Sequence, residues 1–274
     1  MWDEVDREFD QTVKGYAMNR NTGDIKLIFS VNKEDNASSF WFGTKDPAKI
    51  KNITFNLNEM ILQGNKIYIG YNLGKEKPVS VLSSRIVSID LTNSDKLLLV
   101  NVNNTQNAGL SHFSVNKDYI VFSIFGNDGH KMFSDIYIYS FTKKKVEKFT
   151  DNNLSCSPLL TPDNYVVFVL RLQESMEMPP KGYEDTEYLL IAPANDPGAA
   201  KIITKSSKSD QVAVSLNGRF VLLNDYEKGW FVYDRKKHYL LLLKGDSLPV
   251  RPAFASDDVI VGLHQEDRGF SILN

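Results

Sequence analysis

Six times in this 274-residue chain a short polar turn precedes an apolar run rich in β-branched and aromatic residues. The runs IKLIFSV, IYIGYN, YIVFSIF, YVVFVLRL, FVLLND and VIVGLH begin at Ile25, Ile67, Tyr119, Tyr165, Phe220 and Val259. Their starts are spaced by 42, 52, 46, 55 and 39 residues, and 40 more lead from the last start through the C-terminus and on to Ile25. Short strands recurring at this period predict an all-β chain: a six-bladed β-propeller of four-stranded antiparallel blades. The period fixes an architecture and leaves function to the loops.

The repeats place blade starts near Gly15, Leu57, Gly109, Ser155, Asp210 and Pro249, within a single domain spanning 1–274. The third repeat carries the plan most clearly, with GLSHFSVNKD, YIVFSIF, DIYIYSF and KVEKFT as successive strands. In DIYIYSF both alternating sets are apolar or aromatic, as a strand covered on both faces requires. The first repeat is read as GYAMNRNTGD, IKLIFSV, SFWFGTK and KIKNITF. The last has only RPAFASDD, VIVGLH and FSILN, which leaves residues 1–14 to supply its outer strand and close the ring. Phe9, Gln11 and Val13 alternate with Asp10, Thr12 and Lys14, as such a strand would. Trp2, Val5 and Phe9 also suit a short helix. Open strand edges are pairing hazards, which favours closure.

At SPLLTPDNYVVF (157–168) and VSLNGRFVLL (214–223) the chain resembles the TolB-type, WD-like propeller repeat, with FSVNKDYIVF (113–122) a weaker copy. That repeat places a Ser-Pro-Asp-Gly-like turn between its first two strands. Here its glycine appears at Gly218, while Asn164 and Asp118 stand in the other two copies. The resemblance implies a class of roles: partner binding, scaffolding, or gating as in prolyl-oligopeptidase-like enzymes.

Composition excludes several chemistries. With 32 basic and 34 acidic side chains the formal charge is −2, and no basic cluster interleaved with aromatics suggests nucleic acid. The single cysteine, Cys156, allows no internal disulfide and reads as a small packed residue. No run reaches the ~18 apolar residues of a membrane span. The acidic start MWDEVDREFD is unlike a signal peptide, so a soluble chain is expected: cytoplasmic if Met1 is native, otherwise exported with its signal removed. There is no G-x-S-x-G elbow, phosphate loop, G-x-G-x-x-G or Cys/His metal spacing. No cofactor and no metal is expected. His112, His130 and His264, with Asp128, Glu266 and Asp267, are weighed as an acid–base or metal group. They fall in opposed blades, and unrelated surface histidines are the simpler reading.

Connections between second and third strands share one rim of a propeller. Two are long: 73–84 (LGKEKPVSVLSS) and 173–186 (QESMEMPPKGYEDT). Unusually long loops tend to carry function. In the second, Met176, Met178 and Tyr183 form candidate apolar anchors with Glu174 and Glu184 around them. His130, Lys131, Glu266 and Arg268 are candidate contacts on the same rim. The leading expectation is a non-enzymatic, monomeric binding or scaffold propeller that takes a protein or peptide through this rim. The alternatives are a hydrolase or lyase with its site at the channel mouth, or a gating propeller of a peptidase.

Overall fold

The computed structural model describes residues 12–18, 22–33, 39–76, 79–103, 108–127, 132–172, 186–206, 209–225, 229–243, 250–257, 259–263 and 270–273. Contacts divide the chain into two units, Met1–Asn103 and Asn104–Asn274.

In the second unit the repeats become antiparallel sheets. Strands β7 (Gly109–Val115), β8 (Tyr119–Asn127), β9 (Met132–Ser140) and β10 (Lys145–Lys148) pair in chain order. So do β11 (Ser155–Leu160), β12 (Tyr165–Leu172), β13 (Thr186–Pro193) and β14 (Lys201–Ser206). A third sheet holds β15 (Ser209–Val214), β16 (Phe220–Asp225), β17 (Gly229–Asp234) and β18 (Tyr239–Leu242). The last holds three described strands, β19 (Val250–Phe254), β20 (Ile260–Leu263) and β21 (Phe270–Leu273).

The unbroken apolar run of β12 follows from burial on both faces. Val166 and Phe168 pack with Val121, Ile136 and Ile138 of the preceding sheet. Val167 and Val169 face the other way, onto Val221 and Leu223 of the next, with Cys156 in the same cluster. Successive side chains on a strand point to opposite faces, so one strand serves two interfaces.

The turns that carry the TolB-type resemblance are hydrogen-bonded from sheet to sheet. Asn116 Nδ2 donates to the Thr161 carbonyl and to Asn164 Oδ1, both at 2.8 Å. Asn164 Nδ2 donates to Asp118 Oδ2 at 2.8 Å. Arg235 donates to both oxygens of Asp163, at 2.7 and 3.0 Å, and Asn217 N donates to Asp257 Oδ1 at 2.8 Å. Asn164 and Gly218 occupy the left-handed region, at φ 66° and 74°. Asparagine tolerates that region and glycine enters it freely, which explains both letters in the two turns.

In the first unit β1 (Thr12–Met18) pairs with β2 (Ile25–Asn32), and β3 (Thr54–Gln63), β4 (Lys66–Glu76), β5 (Val79–Asp90) and β6 (Lys96–Asn103) form a four-stranded sheet. Three expectations change here. First, SFWFGTK and KIKNITF are not the third and fourth strands of the first repeat. They hold helices α1 (Ser39–Phe42) and α2 (Pro47–Lys51) and the beginning of β3. Asp46 caps α2 by accepting from Ala48 N at 3.0 Å, Pro47 opens it, and Gly43 ends α1 at φ 68°. Trp41, fully buried, packs its ring 5.3 Å from Phe29, 6.1 Å from Phe55 and 5.8 Å from Tyr71. This aromatic cluster covers the β1–β2 pair.

Second, Thr12, Val13 and Lys14 pair with Asn32, Val31 and Ser30 of β2 and so belong to the first repeat, not to a closing strand. The preceding residues of that expected strand lie outside the described residues. Third, 73–84 is a β-hairpin rather than a long loop, because pairing continues to Glu76 opposite Val79. Tyr71 and Arg85, near its base, both donate at 3.0 Å to the Trp41 carbonyl. Burial pushes the Tyr71 phenol up to about 12.

Candidate functional site

A cleft of about 900 Å³ opens in the first unit between α2 and the β4–β5 hairpin. Four lysines line it. Lys33 follows the end of β2, Lys49 and Lys51 lie on α2, and Lys75 is near the end of β4. Asp46 contributes one carboxylate, while Ile53 and Leu82 add apolar surface. The Lys49–Asp46 pair spans 3.9 Å, with side chains 73% and 45% exposed, so water screens it and it leaves the lysine open to competition. Lys33, Lys51 and Lys75 have no ion-pair partner among the described residues.

A chain of net charge −2 thus gathers four cations around one concavity. Its volume is that of a small-molecule or peptide-segment site. Lysine ammoniums act as mobile point charges, and unlike arginine they do not impose a planar two-point geometry. The arrangement favours a ligand with several separated negative charges and some apolar surface. Among its described lining residues the cleft holds no nucleophile–base pair. Among the described residues no group of three or more His, Cys, Asp or Glu could hold a metal ion.

The rim residues singled out in the sequence, Glu174, Met176, Met178, Tyr183, Glu184, His130, Lys131, Glu266 and Arg268, lie outside the described residues, as do His264, Asp128 and Asp267. The strands that lead to them are seen up to Leu172 opposite Thr186, Asn127 opposite Met132, and Leu263 opposite Phe270. His112 is exposed on β7. His238 sits in a turn, 3.2 Å from the Tyr233 hydroxyl.

Sequence reasoning misses the cleft because its lysines are scattered over more than forty residues and meet only through α2. The available signal is Asp46-Pro47, a helix cap followed by a first helical position.

A second recurrent feature lies where the first two strands of each repeat pair: one strand carries an extra residue, the first strand in the later five repeats and the second strand, at Ile28, in the first. The pairing register shifts at Gly15/Tyr16, Leu57/Glu59, Leu110/Phe113, Cys156/Leu159, Gln211/Ala213 and Val250/Ala253. Bulges re-aim side chains and increase local twist. Ser157, inside one of them, has φ 51°.

No protein-family model matches the chain, and no curated protein matches it. Solved structures do. An oligogalacturonate lyase in complex with manganese is 12% identical over 96% of this chain and 81% of its own, with a TM-score of 0.54. The β-propeller domain of the Trilobed protease from Pyrococcus furiosus, described as having an open velcro topology, is 13% identical over 80% of this chain and 81% of its own, with a TM-score of 0.51. TolB from Acinetobacter baumannii is 10% identical over 82% of this chain, which spans 66% of TolB, with a TM-score of 0.49. No helix among the described residues is long and apolar enough to cross a membrane. The fold serves a lyase and a protease domain alike, so at these identities it carries neither activity to this chain; what the chain shares with them is a propeller-type fold of antiparallel blades.

Proposed function

We propose that this chain is a non-enzymatic six-bladed propeller that recognises a protein partner by taking an extended acidic segment into the lysine cleft. The observation that carries this reading is the convergence of Lys33, Lys49, Lys51 and Lys75 on one concave surface, with Asp46 the one carboxylate among its described lining residues. The acidic segment supplies separated charges for the four ammoniums, and apolar side chains among its acids meet Ile53 and Leu82. Electrostatic attraction of this kind raises the association rate and weakens steeply with salt. Met176, Met178 and Tyr183, which lie outside the described residues, remain a proposed second contact.

The test is fluorescence anisotropy with a labelled octaglutamate peptide at low ionic strength, comparing the wild-type chain with a Lys49→Glu, Lys51→Glu, Lys75→Glu variant. Reversing three charges should weaken binding at least about tenfold, as expected for truncation of electrostatic contacts. Identical isotherms for the two proteins would show that the cleft is not the docking site.

A further inference from the structure

The sheet β15–β18 differs from its neighbours at the end where its turns lie. Antiparallel strands reverse at each turn, so the β15–β16 and β17–β18 turns share one end of the sheet. The turns of the adjacent sheets meet them there, through Asn217 to Asp257 and Arg235 to Asp163. The tip of the first turn is Lys117, Pro162 and Ser256 in the other sheets of the unit, and Leu216 in this one. Leu216 is 71% exposed, the most exposed large apolar side chain among the described residues.

The outer strand of the same sheet also departs from the pattern. An outer strand presents an unpaired backbone edge, which charged side chains ordinarily guard. β10 carries Lys145, Glu147 and Lys148, and β14 carries Lys201 and Lys205. β18 is Tyr-Leu-Leu-Leu, and its Tyr239, Leu241 and Leu242 are exposed. With strands about 4.8 Å apart, the Leu216 tip and Tyr239 lie within about 10–15 Å of each other.

Cations border this apolar surface. Arg219 donates to both oxygens of Asp234, at 3.1 and 2.6 Å, and Arg235 is held by Asp163 and the Gly218 carbonyl, so the two arginines are internal ties. Lys236 and Lys237 bond Asp234 through their backbone amides, which leaves both side chains exposed. Lys237 Nζ lies 5.8 Å from the centre of the Tyr239 ring. The Asp257 carboxylate accepts from the Asn217 amide. Lys144, in the β9–β10 turn at the same end of its own sheet, is exposed as well.

We infer that the turn end of the β15–β18 sheet is a peripheral contact with an anionic lipid bilayer. Leu216 and Tyr239 enter the headgroup layer, and Lys236 and Lys237 meet the lipid anions. A projecting apolar tip suits a fluid surface, whereas a folded partner would need a matching hollow. Tyrosine suits the same depth, with an apolar ring and a polar end. Lysine ammoniums impose no planar geometry on the anions they meet, as a fluid array of headgroups requires. This contact is separate from the acidic-segment reading of the lysine cleft and stands without it.

Co-sedimentation of the full chain with vesicles decides it. Wild type should sediment with vesicles of equal parts phosphatidylcholine and phosphatidylserine, progressively less as salt rises, and stay in solution with phosphatidylcholine alone. Lys236→Gln with Lys237→Gln should weaken binding about thirtyfold, the combined effect of two lysines at an anionic surface. Leu216→Ser should weaken it about tenfold, by removing buried apolar surface. Because all three positions are exposed, these variants should melt as wild type does. A Leu216→Trp variant reports on the contact directly: its additional emission should shift to the blue with the phosphatidylserine vesicles. Failure of wild type to sediment, or equal binding by wild type and the lysine variant, overturns the inference. So does emission from Leu216→Trp that vesicles leave unchanged. Binding lost only in the Lys49→Glu, Lys51→Glu, Lys75→Glu variant also overturns it, by assigning the lipid contact to the cleft.

Discussion

In the second unit the sheets starting at β7, β11 and β15 share their apolar side chains with neighbouring sheets, whereas in the first unit the β1–β2 pair is covered by aromatic residues carried largely on a four-residue helix. The first arrangement is repetitive: Val121, Val167 and Val221 recur as fully buried positions in successive second strands. The second occurs once and depends on particular residues. Trp41 is fully buried, its carbonyl accepts from both Tyr71 and Arg85, and its ring touches four other aromatics. Repetition builds scaffold. The departure from repetition, through α2 and the extended hairpin, creates the concave basic surface.

This contrast can be broken most decisively at Trp41. Trp41→Ala should destabilise the first unit by about 3–5 kcal/mol, the usual cost of truncating a fully buried tryptophan. Hydrogen exchange followed by mass spectrometry should show protection lost across residues 39–103 while β7–β18 keep theirs. Equal loss in both units would mean that they unfold as one and that the distinction is only geometric.

A smaller effect is expected from the links between repeats. Asn116→Ala removes two donated bonds, to the Thr161 carbonyl and to Asn164, and two accepted from the Asp118 and Tyr119 amides. Leaving such buried groups without partners costs about 1–3 kcal/mol, readable from urea unfolding. No measurable change would reduce these turns from sheet-to-sheet links to ordinary hairpins.

The legibility of the chain follows the same division. In the second unit β8, β12 and β16 begin where the sequence places them, at Tyr119, Tyr165 and Phe220, and β20 begins one residue after the expected Val259, because a strand buried on both faces must be apolar at every position and a tight turn must precede it. The cross-links at Asn116, Asp163 and Asn164 are visible in the sequence only as turn letters; nothing in one turn names its partner 45 to 72 residues away. In the first unit SFWF reads as a strand because aromatic residues favour strands, yet Gly43 and the Asp46-Pro47 cap, which favour helix ends and starts, outweigh that preference in the fold. The cleft is illegible because its cations converge only once those helices are in place.

Acid should expose a further difference. Hydrogen bonds from Arg219 and the Lys236 and Lys237 amides hold the Asp234 carboxyl at about 2. The folded value lies below the ordinary carboxylate value of about 3.9, so the stabilisation is complete above about pH 4 and is lost as pH falls through about 2. Asp163 is also held below the ordinary range: burial raises it, and the hydrogen bonds from Arg235 and Thr161 outweigh that. Melting temperatures between pH 5 and 2 should therefore fall more steeply for wild type than for Asp234→Asn. Parallel curves would remove this pair from the acid response.

The smallest effect separates lysines that hold the fold from lysines that face the cleft. In the second unit Lys148 lies 2.9 Å from the buried Asp135 carboxylate and also pairs with Asp151, and these hydrogen bonds raise its ammonium pKa. Asp135 in turn accepts from the Thr150 hydroxyl and the Asn152 and Asn153 amides, each at 3.1 Å, so the cation sits within a network that closes the end of a sheet. Lys75 is exposed at the cleft and has no ion-pair partner among the described residues. Lys75→Met should change stability by less than about 0.5 kcal/mol, as surface substitutions do. Lys148→Met should lower the melting temperature clearly, because it leaves a buried carboxylate without its cation. In the octaglutamate assay the order should reverse, with Lys75→Met weakening binding and Lys148→Met leaving it unchanged. A Lys75→Met variant that melts early and binds normally would assign the cleft lysines to the scaffold.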